Sequence, residues 1–474
     1  MKKNKAEKHK RHSTAAIIFT GTVITTIFIC MCVYMVRYHM THKIEMFDNS
    51  YNSYQNILSH EILRGSIISS DGVTLAYSDT DTEKREYPFA NEYSHAVGYA
   101  THGKMGIESL GNYYLLNSHS SLGEKIDADA RDVKIMGDDV YCTLDTKLQD
   151  IAYNSLGVYQ GAVLVTEVKT GRILAMVSKP DFDPNLLDTT WKTMLEDKEN
   201  SQLLNRVTQG LYPPGSTFKI ITSLEYIKEN PDTYNNYSFN CTGRYTVDGN
   251  TIQCYHGSVH GGVNFDRSFA KSCNSSFANI GLTLDENQFE KTLSELMFNE
   301  ELPVDFPYSK STTGINSDIS IHNMMQASIG QGQDSMSPLH LNMITCAIAN
   351  KGILMRPHLI DSVKSNSGNV VLKNDPEKAG RIMTEDESDI LTHLMVGVVQ
   401  EGTGTRLKGL SYSAAGKTGS AEYNQVKGDS HAWFTGFAPA EDPEIALTII
   451  IEGAGSGGDY AVPIAKRIFD QYFN

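Results

Sequence analysis

The feature that most constrains this chain is a run of 22 residues without a charged side chain, Ala15 to Val36, near its N-terminus. A helix of about 20 apolar residues crosses the hydrocarbon core of a bilayer. The run is longer than the apolar part of a typical signal peptide, and no A-x-A cleavage site follows it. We therefore predict an uncleaved transmembrane anchor at 15–36 instead of a cleaved signal peptide.

The charges around this anchor predict its orientation. The first twelve residues, MKKNKAEKHKRH, carry six Lys or Arg against one Glu, and the positive-inside rule keeps such a basic flank in the cytoplasm. Residues 1–14 are thus expected to form a cytoplasmic head, with everything after the anchor outside the membrane. Taking the head's net +5 from the overall −15 leaves −20 for the exterior part, which argues against a nucleic-acid partner.

The exterior part is too long for one ordinary domain, because domains average about 150 residues and the whole chain has 474. Residues 37–145 are polar and rich in turns, with strand-like runs on both sides of Asp71-Gly72, and predict a small α+β domain near the membrane. Residues 146–474 predict a larger mixed α/β domain. Its expected elements are a helix to about Gly157, the strands GAVLVTEV and RILAMVS joined by a KTG turn, helices at Leu339–Asn350 and Asp386–Val399, the strand ALTIIIEG and a last helix at Ala461–Tyr472.

Two cysteines, Cys241 and Cys254, flank the hairpin-turn signal VDGN. Outside the cell they could form a disulfide across the two arms of the hairpin, which would stabilise the fold by about 3 kcal/mol. His256 and His260 suggest zinc instead, but the two cysteines lack the close spacing of a zinc knuckle and both histidines lie among glycines. We rank the disulfide first, two free thiols second and zinc last, and expect no metal or cofactor.

A candidate nucleophile lies in the stretch PPGSTFKII, Pro213 to Ile221. The prolines favour an extended approach, and the apolar spacing after them predicts a helix that begins at Ser216. Ser216 and Lys219 would then share one face of the first turn, where the backbone N–H groups have no partner within the helix. A serine N-cap with an ordinary lysine would explain the same pattern.

The order of three short motifs decides between these readings. S-x-x-K also occurs at Ser268–Lys271, interpreted as helix surface, and K-T-G also occurs at Lys169–Gly171, interpreted as a hairpin tip. The remaining trio, in chain order, is Ser216-Thr-Phe-Lys219, Ser272-Cys-Asn274 and Lys417-Thr-Gly419. Three motifs in this order are the signature of penicillin-binding proteins and serine β-lactamases.

Longer segments resemble one branch of that superfamily, the class B penicillin-binding proteins. The segments NRVTQGLYPPGSTFKI, HGGVNF, SCNSSFANIG, SIGQGQDSMSPLHLNM, AAGKTGSAEY and HAWFTGFAP are similar to their transpeptidase domain, and RGSIISSDGVTLA and GKMGIESLG to their membrane-proximal segment. The similarity covers the chain from about Arg64 to its end. It implies a bacterial cell-membrane protein and a transpeptidase domain with an antiparallel sheet, helices on both sheet faces and an all-helical part. It also implies that 37–145 is a pedestal.

The resemblance also implies roles for the motif residues. Ser216 would be the acylated nucleophile and Lys219, in its neutral form, the base. Ser272 would relay a proton to the leaving amine, and Asn274 would hold the Lys219 ammonium and the substrate amide. Lys417 would attract the carboxylate of a D-Ala-D-Ala stem peptide. The segment Thr418-Gly419-Ser420 would bind the peptide, and the backbone N–H groups of Ser216 and Ser420 would hold the oxyanion.

Sequence features that are missing from this chain reduce the number of possible activities. The E-x-x-L-N pattern of a class A β-lactamase does not occur between Asn274 and Lys417, and the region before residue 145 is too short for an additional glycan-polymerising domain. A sensor of the usual type would need several spans. We predict a monofunctional peptidoglycan D,D-transpeptidase that binds β-lactams and works with a polytopic membrane glycosyltransferase. A D,D-carboxypeptidase and a silent penicillin-binding scaffold stay as alternatives.

Overall fold

The computed structural model describes residues 2–48, 54–131, 133–423 and 430–474. These residues divide into two compact units that meet in sequence between Ile62 and Leu63. The helices are α1 Lys2–Asp48, α2 Tyr54–Glu61, α3 Gly106–Leu110, α4 Asn112–Leu115, α5 Leu122–Ala130, α6 Thr146–Leu156, α7 Leu187–Glu196, α8 Lys219–Glu229, α9 Phe265–Ala270, α10 Asn274–Gly281, α11 Glu286–Glu295, α12 Ile321–Ala327, α13 Pro338–Ala349, α14 Glu385–Glu401 and α15 Gly457–Phe473. The strands are β1 Ile62–Leu63, β2 Ile67–Ile68, β3 Thr74–Ser78, β4 Arg85–Glu86, β5 Ile135–Met136, β6 Asp139–Cys142, β7 Gly161–Glu167, β8 Ile173–Lys179, β9 Ser238–Cys241, β10 Arg244–Val247, β11 Asn250–Gln253, β12 Gly261–Asn264, β13 Ile353–Met355, β14 Ile360–Lys364, β15 Val370–Lys373, β16 Lys378–Arg381, β17 Ala415–Glu422, β18 Ser430–Ala438 and β19 Ile445–Ile451.

The first unit contains the predicted anchor. Helix α1 runs through it, and the part from Thr14 to Lys43 is long and apolar enough to cross a membrane, with a mean hydropathy of 2.3. Its apolar side chains are exposed, as expected for a surface that faces lipid. This helix fits a single-pass membrane anchor.

The second unit is built on a five-stranded antiparallel sheet in the order β17-β18-β19-β7-β8. Along β7, Val163 and Val165 face a core that includes α6 and α15, whereas Ala162 and Leu164 face the core that includes α13. Alternate residues of a strand point to opposite faces, so a strand covered on both sides is apolar throughout. The predicted sheet with helices on both faces is confirmed.

The predicted helical part lies beside the same sheet. Helix α8 is buried from Lys219 to Ile227, and it packs against α10, α11 and α14. Ahead of it, a 3₁₀ turn at Gly215–Phe218 packs against the edge strand β17. The first of the three motifs lies at the start of α8, and the last lies on the edge strand β17. The packing of the helical part against the sheet edge therefore brings these two motifs together.

A second sheet of six strands, in the order β15-β14-β6-β2-β3-β4, contains the strand-like runs predicted around Asp71-Gly72. Strands β2 and β6 are parallel, whereas β14 and β15 come from far downstream in the chain. This sheet therefore combines segments from both sides of residue 145.

A buried ion-pair cluster next to this sheet connects two of the segments that resemble the membrane-proximal part of the family. Glu108, in GKMGIESLG, is fully buried and accepts hydrogen bonds from Arg64 Nε at 2.5 Å and Arg85 Nε at 2.7 Å. Arg64 belongs to RGSIISSDGVTLA. Burial raises the pKa of the Glu108 carboxyl, but the two arginines outweigh burial and hold the pKa below its usual value. Both segments thus meet in one buried ion-pair cluster.

Candidate active site

The Pro-Gly entry brings Ser216 to the surface of a groove. The 3₁₀ turn begins at Gly215, one residue before the predicted start, and continues into α8 at Lys219. Gly215 has φ +54°, and a Cβ on it would lie 2.9 Å from the Cβ of Ala421. Only glycine meets both conditions without strain. The sequence Pro-Gly-Ser thus fixes a half-buried serine against strand β17.

Lys219 is the centre of the site's hydrogen bonds. Its Nζ lies 3.0 Å from Ser216 Oγ and 3.2 Å from Ser272 Oγ, and it donates to Asn274 Oδ1 at 2.7 Å. A further bond goes to the Ser272 carbonyl at 2.8 Å. Burial lowers the pKa of Lys219 from 10.5 to about 8, because an ammonium loses its hydration in the interior. A neutral amine within hydrogen-bond distance of a serine hydroxyl can act as its base.

Lys417 approaches the same group from the sheet. Its Nζ lies 3.0 Å from Ser272 Oγ and donates to the Thr418 carbonyl at 2.9 Å. Burial, and then the charge of Lys219, lower its pKa well below the usual value. The Ser272 hydroxyl therefore lies between two amines, so its own hydrogen is left to donate into the groove.

The Ser272–Asn274 turn is held in an unusual backbone conformation. Ser272 has φ +54°, a left-handed value that costs energy for any residue with a Cβ. Asn274 begins helix α10, and its Nδ2 donates to the Gln253 carbonyl on β11 at 2.9 Å. The turn thus directs the Ser272 hydroxyl and the Asn274 amide toward Lys219.

Strand β17 forms the opposite wall with Thr418, Gly419 and Ser420. It is an edge strand, so one of its sides offers backbone groups to a bound extended chain. A Cβ on Gly419 would lie 3.0 Å from Trp433 Cβ and 3.1 Å from the Pro214 carbonyl oxygen. Glycine therefore permits the close approach of the strand to the Ser216 turn.

Two connected clefts meet at Ser216, Asn274 and Ser420. One has a volume of about 420 Å³ and extends past Thr403 and Thr418, and the other, of about 300 Å³, extends along β11.

The sequence analysis did not identify Thr403 as a site residue, yet its Oγ1 lies 2.5 Å from Thr418 Oγ1. The G-T-G stretch around it, at a sharp chain reversal after a helix, is the signal that could have identified it.

The structure groups all eight predicted site residues around this groove, and Lys271, the last residue of the duplicate S-x-x-K motif, lines the larger cleft as well. Lys169–Gly171 is the predicted hairpin tip, with φ +78° at Gly171. The interpretation of Ser268 as helix surface is wrong: Ser268 is fully buried in α9 and accepts a hydrogen bond from Ser276 Oγ at 2.7 Å. The helix packs this face inward, so Ser268 has no access to a substrate.

The cysteines also differ from prediction. The VDGN hairpin forms as β10 and β11, but Cys241 ends strand β9, which pairs with β12 instead of β10. Both cysteines are free, with their sulfurs 3.6 Å apart. A third cysteine, Cys273, and His260 lie beside them. The expected disulfide across the hairpin arms is therefore absent from this structure.

Comparisons with known proteins agree with this architecture. Residues 161–470 match the penicillin binding protein transpeptidase domain, and residues 64–128 match the penicillin binding protein A dimerisation domain. The chain belongs to the penicillin-binding protein transpeptidase family. It is a class B member and a serine-type peptidoglycan D,D-transpeptidase that binds β-lactams.

Individual relatives support the same assignment. The chain is 31% identical to peptidoglycan D,D-transpeptidase PbpA of Mycolicibacterium smegmatis, over 84% of this chain and 87% of that protein. The ceftriaxone acyl-enzyme structure of penicillin-binding protein A from M. tuberculosis has a TM-score of 0.79 at 26% identity and covers 88% of this chain and 99% of that one. PBP2 of Helicobacter pylori, solved in complex with MreC, has a TM-score of 0.69 at 25% identity and covers 82% of this chain and 79% of that one.

Proposed function

We propose that Ser216 is the nucleophile of this transpeptidase and Lys219 its general base. The observation that carries the proposal is the contact between Lys219 Nζ and Ser216 Oγ at 3.0 Å, at a lysine with a lowered pKa. In acylation the Ser216 proton passes to Lys219 as Oγ attacks the carbonyl carbon of the penultimate D-alanine. The oxyanion forms against the backbone N–H groups of Ser216 and Ser420.

The leaving D-alanine then needs a proton on its amine. Ser272 is suited to deliver it, because Lys219 Nζ and Lys417 Nζ lie 3.2 and 3.0 Å from its oxygen and its own hydrogen is left to donate. Lys219 replenishes that proton, which balances the step. Asn274 Oδ1 accepts a hydrogen bond from the Lys219 amine. Its Nδ2 donates one hydrogen to the Gln253 carbonyl and keeps a second hydrogen for the substrate amide.

The charge of Lys417 and the exposed backbone of the edge strand β17 would orient the substrate. Lys417 and the Thr418 hydroxyl attract the terminal carboxylate of a D-Ala-D-Ala stem peptide, while Gly419 and Ser420 offer backbone groups to it. After the D-alanine leaves, an amine from a neighbouring stem attacks the ester carbonyl carbon and gives up a proton to Lys219. The ester bond to Ser216 Oγ then breaks, and Lys219 returns the proton to Oγ, which regenerates the serine. The second cleft, along β11, gives this amine a route to the acyl-enzyme.

We further propose the arrangement of the chain at the membrane. The basic residues 1–14 lie in the cytoplasm, the helix at 15–36 spans the membrane, 37–145 forms a pedestal-like membrane-proximal domain, and 146–474 forms the transpeptidase domain. The partner is a polytopic membrane glycosyltransferase that supplies nascent glycan. Cross-linking consumes stem peptides that are carried on glycan strands, and an enzyme that supplies such strands fits this need.

Transfer can be distinguished from hydrolysis in one experiment. The detergent-solubilised chain is incubated with a peptide ending in D-Ala-D-Ala and a rising concentration of an amine acceptor, and products are followed by mass spectrometry. A transpeptidase yields an amide product that grows with the acceptor and is lost in Ser216→Ala. Hydrolysed peptide alone, at every acceptor concentration, would indicate a D,D-carboxypeptidase. Binding of a β-lactam without either product would indicate a silent scaffold.

A further inference from the structure

The larger of the two clefts contains an ion pair that the mechanism above does not use. Beyond Thr418 this cleft extends to Thr403, Arg406 and Asp459. Arg406 lies in the 3₁₀ turn Thr405–Leu407, and Asp459 lies in the first turn of α15. The guanidinium Nη2 of Arg406 donates to Asp459 Oδ1 at 2.9 Å, and both side chains are more than half exposed. A charged arginine is thus held in the wall of the catalytic cleft.

Lys417 is not placed to contact a carboxylate in this cleft. Its side chain is fully buried, and it lines neither of the two clefts. Its amine lies 3.0 Å from Ser272 Oγ and donates to the Thr418 carbonyl at 2.9 Å. Burial, and then the charge of Lys219, lower the pKa of Lys417 and so disfavour its positive charge. Lys417 therefore acts on a carboxylate through its field, and the direct contact needs other groups.

Groups that can make this contact lie together at the Thr418 end of the cleft. Thr403 Oγ1 lies 2.5 Å from Thr418 Oγ1. One of these hydroxyls donates to the other, so the pair keeps one hydrogen for a ligand. Among the described residues, Arg406 has no hydrogen-bond acceptor other than Asp459, and a guanidinium has several further N–H groups to donate. A hydroxyl hydrogen and a guanidinium fork together match the two oxygens of a carboxylate.

Close packing joins this wall to the strand that would bind the peptide. A Cβ on Gly458, in the first turn of α15, would lie 2.8 Å from the Thr403 carbonyl oxygen. A Cβ on Gly457 would lie 2.5 Å from the Gly419 carbonyl oxygen on β17. The start of α15 therefore contacts both the Thr403 segment and the edge strand, which fixes the arginine relative to β17.

We propose that Arg406, together with the Thr403–Thr418 hydroxyl pair, binds the terminal carboxylate of the donor peptide and the equivalent carboxylate of a β-lactam. This inference rests on the proposed function, because the donor orientation along β17 places that carboxylate at Thr418. Asp459 orients the guanidinium but repels a substrate carboxylate, so it limits the strength of the contact. Arg406 is then a specificity-determining residue that favours donors with a free C-terminus.

Two β-lactams isolate the contribution of the carboxylate. Benzylpenicillin and its methyl ester react at the same carbonyl carbon, but only the first has a free carboxylate. Intact-mass analysis of the full-length chain in detergent gives the acylation rate constant for each compound. In Arg406→Gln the rate constant for the acid should fall about tenfold, as expected for a lost charge-assisted hydrogen bond, while that for the ester should not fall.

The matched control is Arg267→Gln, which removes an exposed arginine of α9 that lines neither cleft. It should leave both rate constants unchanged. The ester also reports whether the Arg406 variant is folded, because a misfolded site loses both reactions. An unchanged acid-to-ester ratio in Arg406→Gln, or an equal loss of this ratio in Arg267→Gln, would overturn the proposal.

The partner of the ion pair gives a test of opposite sign. Asp459→Asn removes a negative charge from the cleft but keeps an acceptor oxygen for Arg406. The acid-to-ester ratio should rise about threefold, because the carboxylate no longer meets a like charge. A purely structural ion pair would change the ratio in neither variant, and a ratio that falls in Asp459→Asn would contradict the proposal. An adduct that persists in Ser216→Ala would instead contradict the proposed nucleophile, so the two failures are distinguishable.

Discussion

The buried amine of Lys219 predicts a steep dependence of acylation on pH. Burial lowers its pKa from 10.5 to about 8, a shift worth about 3 kcal/mol against the charged form. Only the neutral amine can take the Ser216 proton. The neutral fraction is about 1% at pH 6 and about half at pH 8, so the acylation rate constant should rise about 50-fold between them. Above pH 9 the rate should level off.

Stopped-flow or quenched-flow acylation with a β-lactam that does not titrate in this range measures the rate at each pH. Circular dichroism at the same pH values controls for loss of fold. A rate that is flat between pH 6 and 8, or that still rises tenfold per unit above pH 9, would refute the assignment of a desolvated Lys219 as base. The first outcome would mean that another group takes the proton, and the second that Lys219 is not desolvated.

Two further substitutions test the architecture. Glu108→Gln leaves Arg64 and Arg85 partly uncompensated in the core and should destabilise the fold by about 3 kcal/mol, measured by thermal unfolding. Since the folded-state pKa of Glu108 is lowered, its stabilisation is complete above the ordinary Glu range and is lost as pH falls through the lower folded value; a deficit that persists in strong acid would contradict this. Gly419→Ala pushes β17 away from the Ser216 turn and should slow acylation about 100-fold, whereas Gly380→Ala, whose added Cβ meets nothing within 4 Å, should not. Equal rates for the two alanine variants would refute the close-approach argument.

Sequence predicted the elements of the catalytic site well because their signals are local. Helical spacing after Ser216 and the strand runs GAVLVTEV and ALTIIIEG depend on the side-chain period alone. The order of the three motifs then selected the copies whose side chains meet in the structure. Packing determined what the side-chain period could not. Ser268 lies on a helix face that turns inward, and β14 and β15 join a sheet whose other four strands lie more than 200 residues upstream.

The cysteine cluster shows why a non-local site escapes sequence reasoning. Its members, Cys241, Cys254, His260 and Cys273, are spaced by 13, 6 and 13 residues along the chain, unlike the short C-x-x-C pairs of zinc knuckles. The prediction of a disulfide between two cysteines assumed that both belong to the VDGN hairpin, but Cys241 lies on a neighbouring strand pair. Cys273 was hidden because it was counted only as the middle residue of a catalytic motif. Four segments had to fold before the cluster could be recognised.

The central claim is that Ser216 is the residue acylated. Intact-mass analysis of the full-length chain in detergent, incubated with a β-lactam, tests it most directly when wild type, Ser216→Ala and Ser268→Ala are compared. We predict a single adduct on the wild type and on Ser268→Ala, and none on Ser216→Ala. An adduct that survives in Ser216→Ala would contradict the account.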